Sequence, residues 1–471
     1  MRVLFIYPDI SSSFSHTFHY GIGSLGAILK KAGHEVELIH AKSDLTRNSI
    51  AAKIQEYSPD LVAITATTPQ FPFAVKYAQW VKEASSCLVI CGGAHPTLAP
   101  DEVISNPAFD VICLGEGEQP LLEYVHALSE GNDRFDIENL WFRNNGRIIK
   151  NKMRPLQQDL DTLPFPYRKF DSELRVSRVG DIMAGRGCPY KCTYCCNNSF
   201  KMLHGKSDSY VRYRSVENVL QEIEALISCY HVNSFDFHDD TFTLKRKWLS
   251  EFCKQYSSRF SLPFVCNGRP ETLKRDVLRM LKEAGCKMVR IGVESGNERI
   301  RKDVLGRNIS NGDLLRVFNE AKDLGLQTSA FNMMGIPGET VEHLQETIDF
   351  NKKLNPSRAV VSVFYPYPLT RLHEKCLQNG MISNIKKYSH TDLGTTLNLP
   401  QLSAQQINLA VKQFRAVFYK NQVSTRSPQI FWLYQSFEAL FGTVAAREIW
   451  IKGRWLGFRL KDLQYRLLTW S

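Results

Sequence analysis

The sequence predicts an α/β protein with two consecutive parallel sheets and a mainly helical C-terminal region. Short apolar runs alternate with helical patterns over the first 130 residues, and the same rhythm returns from residue 181. Alternating βα units imply a parallel sheet covered by helices, so each of these two stretches should form one such sheet. The expected boundaries are 1–130, 131–180, 181–375 and 376–471.

The first stretch has the pattern of a flavodoxin/Rossmann-like sheet. Its apolar runs are nearly continuous, as strands buried on both faces require. Five strands are predicted, at residues 3–7, 36–39, 61–65, 87–91 and 111–114. Helical patterns separate them, at residues 21–31, 48–56, 74–83, 100–104 and 119–128. Ligands of such sheets bind outside the carboxyl ends of the strands, so the loops there are candidates for a site.

These carboxyl-end loops are rich in glycine and hydroxyl side chains. Glycine lets the backbone approach a large ligand closely, and Ser and Thr hydroxyls can bond amide side chains or a phosphate. Each motif alone is weak, because Gly92-Gly93 could be a plain turn and His95 a capped loop histidine. The candidate binding residues are Ser11, Ser12, Thr65, Thr67, Gly92, Gly93, His95, Gly115, Glu116, Gly117 and Glu118.

Residues 131–180 form a connector. Its segment 140–150 predicts a β-hairpin, with Asn145-Gly146 at the turn. Its segment 163–167, Leu-Pro-Phe-Pro-Tyr, should be a stiff lead into the second sheet, because each proline fixes its own backbone angle.

Six further βα units predict an incomplete βα barrel, a partial (β/α)6 TIM-type fold. Its strands are expected at residues 182–185, 234–237, 264–267, 288–293, 327–333 and 359–364. Its helices are expected at residues 216–229, 246–257, 272–284, 311–324 and 341–354. In such barrels the chemistry lies at the carboxyl ends of the strands.

Three cysteines, Cys188, Cys192 and Cys195, follow the first of these strands within one tight loop. Their spacing lets all three thiols face one metal centre, and soft thiolates select iron-sulfur clusters, zinc or copper(I). A closed structural zinc site needs four ligands, usually in paired spacings. Three cysteines without a partner pair therefore indicate a cluster with one unligated iron. The alternative is a group of buried thiols in a cysteine-rich stretch that includes Cys196.

This loop resembles the cluster loop of radical S-adenosylmethionine (SAM) enzymes. The resemblance implies that Cys188, Cys192 and Cys195 hold three irons of a [4Fe-4S] cluster while SAM chelates the fourth. It also implies that Tyr194 contacts the adenine of SAM.

Later strand ends match the same family pattern. By this resemblance, Glu294 and Ser295 meet the ribose and methionine part of SAM, while Met334 and Gly335 pass near the adenine. Three further candidates for polar contacts to the aminocarboxylate or ribose of SAM are Asp239, Asp240 and Arg269. A carboxylate or guanidinium at a strand end is also an ordinary ion-pair member.

The first stretch resembles the cobalamin-binding domain that precedes the radical SAM domain in one large subfamily. The resemblance rests on residues 92–96, Gly-Gly-Ala-His-Pro, and on residues 115–118, Gly-Glu-Gly-Glu. The sequence lacks the Asp-x-His-x-x-Gly run of cobalamin proteins that use a histidine ligand. His16 and His19 lie in the corresponding loop without an Asp partner to orient them. The resemblance therefore implies base-off cobalamin without a histidine ligand.

Together these resemblances imply a cobalamin-dependent radical SAM methyltransferase that acts on an unactivated carbon. The alternative is a cyclase, dehydratase or rearrangement enzyme with the same cofactors or a vestigial cobalamin domain, as among relatives of the anaerobic porphyrin cyclase. A third hypothesis is a cobalamin or redox sensor without catalysis.

Composition restricts the partners and the compartment. The chain has 471 residues, with 59 Lys and Arg against 48 Asp and Glu, a net charge of +11. This balance favours an acidic electron carrier such as flavodoxin or ferredoxin, a phosphate-bearing ligand or an anionic membrane, and no nucleic-acid motif is present. Twelve scattered cysteines indicate a reducing compartment, and no uncharged run reaches the ~18–20 residues of a spanning helix. A cytoplasmic protein is expected.

The C-terminal region is covered only loosely by the resemblance. The segment 365–372 is similar to a closing Pro-x-Pro-Gly-Thr segment of the family, with Leu369 where glycine is usual. An amphipathic helix is predicted through Ile407, Val411, Phe414 and Phe418, and a second helix from Ser427. The last twenty residues mix aromatic and basic side chains. They predict either a peripheral membrane contact, with a lipid-like or other small-molecule substrate, or packing against the barrel.

Overall fold

The computed structural model of the protein describes residues 1–10, 18–171, 174–205, 210–382 and 394–424. Its first sheet has seven strands in the order β2-β1-β3-β4-β5-β6-β7, and the first five are parallel. The order 2-1-3-4-5 is that of flavodoxin-like sheets and agrees with the prediction. The strands are β1 Arg2–Pro8, β2 Glu35–Ala41, β3 Leu61–Thr65, β4 Leu88–Gly92, β5 Val111–Cys113, β6 Leu140–Asn144 and β7 Arg147–Lys150.

Helices cover both faces of the first sheet. They are α1 Tyr20–Lys31, α2 Arg47–Tyr57, α3 Phe71–Ala84, α4 Ala94–Leu98, α5 Pro100–Ser105 and α6 Glu118–Ser129, with a 3-10 turn at Thr68–Gln70. One face packs on α1 and α6 through Leu29 and Leu121, and the other packs on α2 and α3 through Ile54 and Tyr77. Because both faces are covered, the strands need apolar residues at nearly every position.

The predicted hairpin forms at the edge of the first sheet. Asn145 and Gly146 both have positive φ, 47° and 77°, as a two-residue hairpin turn of type I′ requires. Strand β6 pairs antiparallel with β5, so residues 140–150 extend the first sheet. Two 3-10 turns follow in the connector, at Leu160–Thr162 and Arg168–Phe170.

The second sheet has six parallel strands in the order β8-β11-β12-β13-β14-β15, the half-barrel that the sequence predicts. These strands are β8 Val179–Ile182, β11 Ser234–Phe237, β12 Phe264–Gly268, β13 Cys286–Glu294, β14 Gln327–Met334 and β15 Arg358–Val363. The helices are α7 Leu174–Ser177, α8 Cys196–Leu203, α9 Val216–Tyr230, α10 Arg246–Arg259, α11 Arg275–Glu283, α12 Asn311–Asp323, α13 Val341–Leu354, α14 Arg371–Gln378 and α15 Ala404–Ser424, with a π-turn at Ile300–Val304.

The first strand of this sheet differs from the prediction of residues 182–185. Strand β8 ends at Ile182, and β9 Gly185–Arg186 instead pairs antiparallel with β10 Arg212–Tyr213. The chain therefore leaves the half-barrel three residues earlier than its apolar pattern suggests.

The predicted amphipathic helix is α15, and its four marker residues Ile407, Val411, Phe414 and Phe418 are all buried. It packs against β14, β15 and α13. The second helix expected from Ser427 and the aromatic and basic tail lie outside the described residues. Within the described ranges, no helix is both long and apolar enough to cross a bilayer.

Candidate active site

The cysteine loop joins β9 to α8 at the carboxyl end of the half-barrel. Cys188, Cys192 and Cys195 are free thiols, and α8 begins directly after the third. Thr193 fixes the middle of the loop. Its N–H donates to Leu305 O at 3.1 Å, its hydroxyl donates to Val304 O at 2.6 Å, and its carbonyl accepts from Leu372 N at 2.9 Å. Segments after β13 and β15 therefore hold the loop in place.

The chemistry of the three thiols fits an iron-sulfur cluster. Burial raises the pKa of Cys188 and of Cys195 above the ordinary value, so both need a bound metal or a cationic neighbour to become thiolates. Arg269 contacts the third thiol, because its Nη1 donates to Cys192 Sγ at 3.5 Å. No three His, Cys, Asp or Glu side chains of the described segments are placed to hold one ion in common. In a four-iron cluster each thiolate binds a different iron.

Arg307 joins three parts of the predicted SAM site. Its Nη1 donates to Tyr194 OH and to Glu294 Oε1, each at 3.3 Å, and its Nη2 donates to Gly292 O at 2.8 Å. Glu294 has a positive φ of 67°, an uncommon conformation for this residue type. The sequence predicted Tyr194 and Glu294 but not Arg307, which lies thirteen residues after Glu294 without a local motif.

Two buried donors near the cysteine loop lack acceptors. The Nε atoms of Arg269 and Arg307 are buried without a hydrogen-bond partner. Arg269 also stacks on Tyr190, with its guanidinium carbon 3.6 Å from the ring centroid, and pairs with Glu271. A buried unsatisfied donor is costly, so both sites fit a bound group with acceptor oxygens, such as the carboxylate of SAM.

Glu339 organises the glycine loop after β14. Its Oε2 accepts from the N–H groups of Gly335 and Ile336, both at 2.9 Å, and Ser295 Oγ lies 3.5 Å from its Oε1. Ser295 is fully buried, and the Met334 side chain packs in the apolar core beneath α15. The buried side chains of Ser295 and Met334 therefore support the glycine loop. Sequence reasoning missed Glu339. An acidic residue directly after Gly338 could have indicated a carboxylate that binds the N–H groups of the glycine loop.

Two neighbouring aspartates tie the end of β11 to the cysteine loop. The buried Asp239 carboxylate accepts from the N–H groups of Ala184 at 3.0 Å and Gly185 at 2.6 Å, just before the loop. The exposed Asp240, a predicted SAM contact, accepts from Asn197 Nδ2 of α8 at 2.7 Å. Both carboxylates thus support the loop in the structure.

A cavity of about 320 Å³ lies at the carboxyl ends of β1, β3, β4 and β5. Its wall includes His19 and, from the segment just before the cysteine loop, Met183 and Arg186. Its apolar side is formed by Phe5, Ile22, Leu25, Ala63, Ile90 and Leu121. The predicted residues that line it are Thr65, Gly92, Gly93, Gly115, Glu116, Gly117 and Glu118. A roomy, mostly apolar wall with a few polar groups and close glycine backbone fits a large organic cofactor.

Thr67 and His95 do not line this cavity. Thr67 caps the short turn at Thr68–Gln70, donating its hydroxyl to Gln70 Oε1 at 2.9 Å. His95 is buried against Phe71, with its Nδ1 3.2 Å from Thr68 Oγ1, and burial lowers its pKa to about 4. Both have structural roles here. Ser11 and Ser12 lie outside the described residues.

Comparison with known proteins identifies the two halves of the chain. The radical SAM superfamily model matches residues 182–350, and the B12 binding domain model matches residues 10–125. An uncharacterized methyltransferase of Pyrococcus horikoshii is 30% identical over 434 residues, which cover 89% of this chain and 92% of that protein. The chain belongs to the radical SAM enzymes that carry a B12-binding domain.

Other relatives of this radical SAM protein extend the comparison. An anaerobic magnesium-protoporphyrin IX monomethyl ester cyclase of Rubrivivax gelatinosus is 28% identical over 409 residues, covering 83% of this chain and 72% of the cyclase. The structure of TsrM, a radical SAM methyltransferase from Kitasatospora setae with cobalamin and a [4Fe-4S] cluster bound, has a TM-score of 0.66 at 18% identity, over 80% of this chain and 75% of that one. These matches confirm the predicted fold class and the expected cofactors: a [4Fe-4S] cluster, SAM and cobalamin.

In the B12-binding domain, Gly93→Ala is expected to weaken corrinoid binding. Gly93 has a φ of +102°, and a Cβ there would lie 2.8 Å from Thr65 Oγ1 and 3.0 Å from Ala66 O. The alanine is strained by ~1–3 kcal/mol and must push Thr65 at the cavity wall, so hydroxocobalamin should bind at least ~10-fold more weakly. Absorbance titration measures this.

Gly131→Ala is the matched control for that substitution. Gly131 also has a positive φ of 70°, but a Cβ there meets nothing within 4 Å, and the residue lies outside the cavity. Equal affinity losses in the two variants would show that backbone strain alone, rather than the cavity wall, sets the result.

In the radical SAM domain, Glu339 should make stability depend on pH. Burial raises the pKa of its carboxyl from 4.5 to about 8, against the opposing hydrogen bonds from Ile336 and Gly335. Because the folded state holds the proton more tightly, the contribution of this group to the free energy of unfolding is full below the unfolded pKa and is lost as pH rises towards 8. In the native protein, the free energy of unfolding should therefore fall by on the order of 3 kcal/mol between pH 5 and 8 because of this group. Glu339→Gln should remove that fall.

Urea unfolding of the metal-free chain at both pH values measures this difference. The amide oxygen of glutamine can accept the same two N–H groups, so the variant should fold. An equal pH dependence in both proteins would contradict the prediction.

Proposed function

We propose that this protein is a cobalamin-dependent radical SAM methyltransferase that acts on an unactivated carbon. The observation that carries the proposal is the shared cavity wall. Met183 and Arg186, just before the cysteine loop, line the same cavity as the loop 115–118 at the end of β5. The two predicted cofactor sites are therefore adjacent. When bound, the cluster and SAM supply a 5′-deoxyadenosyl radical, and cobalamin supplies a methyl group.

The residues of this chain bind and orient the cofactors. Cys188, Cys192 and Cys195 would hold the cluster, and Arg269 would donate a hydrogen bond to the Cys192 thiolate. Arg307 would hold Tyr194 and Glu294 in position beside SAM. Buried side chains fixed by such hydrogen bonds keep a reactive geometry without rearrangement at the moment of reaction.

The environment of His19 supports cobalamin without a histidine ligand. His19 lies in the cavity wall, and its Nδ1 accepts from the N–H of Ile22 at 3.1 Å. The neutral ring then carries its proton on Nε2, which leaves no free lone pair for cobalt. Burial lowers the pKa of His19 to about 4, so the ring is neutral at physiological pH.

An apolar patch beside the cysteine loop supports an apolar or lipid-like small-molecule substrate. Leu369 has a positive φ of 58°, and its carbonyl accepts from Ser199 Oγ of α8 at 2.7 Å. Leu369 is 41% exposed, and Met202 and Leu203 of α8 are 61% and 41% exposed. An exposed leucine in a costly backbone conformation suggests a functional contact.

An organic extract of cells should therefore stimulate SAM cleavage more than an aqueous extract does. Stimulation by the aqueous fraction alone would contradict an apolar substrate.

For the electron donor we propose an acidic flavodoxin or ferredoxin, since the chain has a net charge of +11 and Lys191 is exposed within the cysteine loop.

The decisive experiment follows the methyl group. Anaerobically reconstituted protein is given cob(I)alamin and SAM labelled in the methyl group. The proposal expects labelled methylcobalamin and S-adenosylhomocysteine, and 5′-deoxyadenosine under strong reduction. Reactions without protein provide the baseline.

The same experiment separates the second candidate. The cyclase relative of Rubrivivax gelatinosus favours a radical SAM enzyme that ends in ring closure or rearrangement. Formation of 5′-deoxyadenosine without methyl transfer to the corrinoid would support this class. A protein that cleaves no SAM at all would indicate a sensor.

A further inference from the structure

Four charged side chains join the two domains beside the cavity. We call this group the interdomain clasp: Glu116 and Glu118 of the B12-binding domain with Arg186 and Arg212 of the radical SAM domain. Glu116 accepts from Arg186 Nη1 and from both Nη atoms of Arg212, each at 2.9 Å. Glu118 accepts from Arg186 Nη2 at 2.7 Å. The carboxylates that the sequence suggested as cofactor contacts are thus engaged by arginines.

The clasp lies between the two cofactor sites. Glu116 and Glu118 follow β5 and form part of the cavity wall. Arg186 ends β9, two residues before Cys188, and Arg212 lies on the partner strand β10. A movement of the B12-binding domain would therefore act directly on the base of the cysteine loop.

Glu116 binds an arginine from each strand of the β9–β10 pair. Arg186 and Arg212 are opposite each other in the two-stranded ladder, where like charges are destabilising. Glu116 lies between them and binds both. Although burial alone would raise the pKa of Glu116, the two arginines hold it below the ordinary value. The short ladder at the base of the cysteine loop therefore needs an acid from the other domain.

Because its side chains are largely buried, the clasp should fix the relative position of the two domains more than it adds to stability. The side chains are 5% exposed at Arg212, 11% at Glu118, 19% at Arg186 and 22% at Glu116. Desolvation of buried charges largely cancels their attraction, while bidentate arginine–carboxylate bonds fix distance and direction. Four such groups would hold two domains in one relative position.

We propose that Glu116 and Glu118 are positioning residues that hold the base of the cluster loop against the B12-binding domain and so fix the distance between cluster and corrinoid. This inference rests on the proposed function, because only a reaction that uses both cofactors needs that distance.

Other contacts should keep the domains together when the clasp is removed. Glu222 of α9 accepts from Tyr20 OH of α1 at 3.2 Å and from Arg168 Nη2 at 2.6 Å. The N–H of Tyr167 donates to Gly23 O at 2.8 Å. A variant without the clasp carboxylates is therefore expected to remain folded.

The test measures the distance between the cofactors in the double variant E116Q/E118Q. Pulsed electron paramagnetic resonance detects the dipolar coupling between cob(II)alamin and the reduced cluster. The native protein should give one narrow distance distribution, and the double variant should give a distribution at least twice as broad, with iron content unchanged. The control is E123Q, in helix α6, which breaks the ion pair of Glu123 with Arg154 of the connector and leaves the clasp intact. Equal widths in all three proteins would overturn the proposal.

Hydrogen exchange of the metal-free chain provides a second readout. Amides of residues 185–192 should exchange at least ten times faster in E116Q/E118Q than in the native protein or E123Q, although both substitutions lie in the other domain. Unchanged exchange there would also overturn the proposal. Failure to form labelled methylcobalamin would instead count against the proposed function, since neither readout requires methyl transfer.

Discussion

Alanine in place of Cys188, Cys192 or Cys195 is expected to abolish the iron-sulfur cluster and the cleavage of SAM. Each cysteine is the expected ligand of one iron, so its removal leaves that iron without its protein ligand. The loss of 5′-deoxyadenosine formation should exceed the ~10- to 100-fold that removal of an outer-shell partner costs. Iron and sulfide content, visible absorbance and 5′-deoxyadenosine after anaerobic reconstitution measure the effect.

Cys196→Ala is the matched control for these three variants. Cys196 is the first residue of α8, directly after Cys195, but it lies outside the spacing that predicts the ligands. Loss of the cluster in Cys196→Ala, or its retention in one of the other three, would show that the ligand set is wrong.

Arg307→Met is expected to prevent tight SAM binding while the cluster still assembles. The substitution removes the donors to Tyr194, Glu294 and Gly292. Glu294 is then left as a nearly buried carboxylate without its partner, and breaking a buried pair in this way costs ~3–5 kcal/mol. The dissociation constant of SAM should rise at least ~10-fold, since about 1.4 kcal/mol already corresponds to that factor.

Equilibrium binding of SAM to the reconstituted variants measures this effect. Arg299→Met is the control, because Arg299 is exposed on the same segment. Arg307→Lys keeps the charge but cannot form the same planar set of bonds, so partial binding is expected. Native affinity in a folded Arg307→Met protein would remove Arg307 from the SAM site.

The sequence was sufficient for most of the fold because periodicity and burial agree. All five parallel strands of the first sheet and five of the six strands of the second lie at the predicted positions, and only β8 lies earlier than predicted. The glycine loops at residues 92–93 and 115–118 follow β4 and β5, and they line the cavity at the carboxyl ends of these strands. The four-three-four pattern of α15 also predicted its buried face.

Side-chain direction and distant pairing could not be predicted. Both faces of β14 are covered, so the sequence did not show that the Met334 side chain packs in the core with α15. Arg186 and Arg212 meet Glu116 across 70 and 96 residues of sequence. No local sequence pattern predicts such pairs, whereas the spacing of the three cysteines is local and was enough to predict the cluster loop.

Helix α15 has a consequence for where the gene can be shortened. Ile407 lies against the turn at Gly335, where a Cβ would be only 3.1 Å away, and the helix covers the last two strands of the half-barrel. Four fully buried apolar side chains at ~1.5–3 kcal/mol each amount to roughly 6–12 kcal/mol as an upper bound, comparable with the stability of a whole domain. A gene that stops after residue 375 would leave the open margin of the half-barrel uncovered, and its product should precipitate rather than serve as a minimal catalytic fragment.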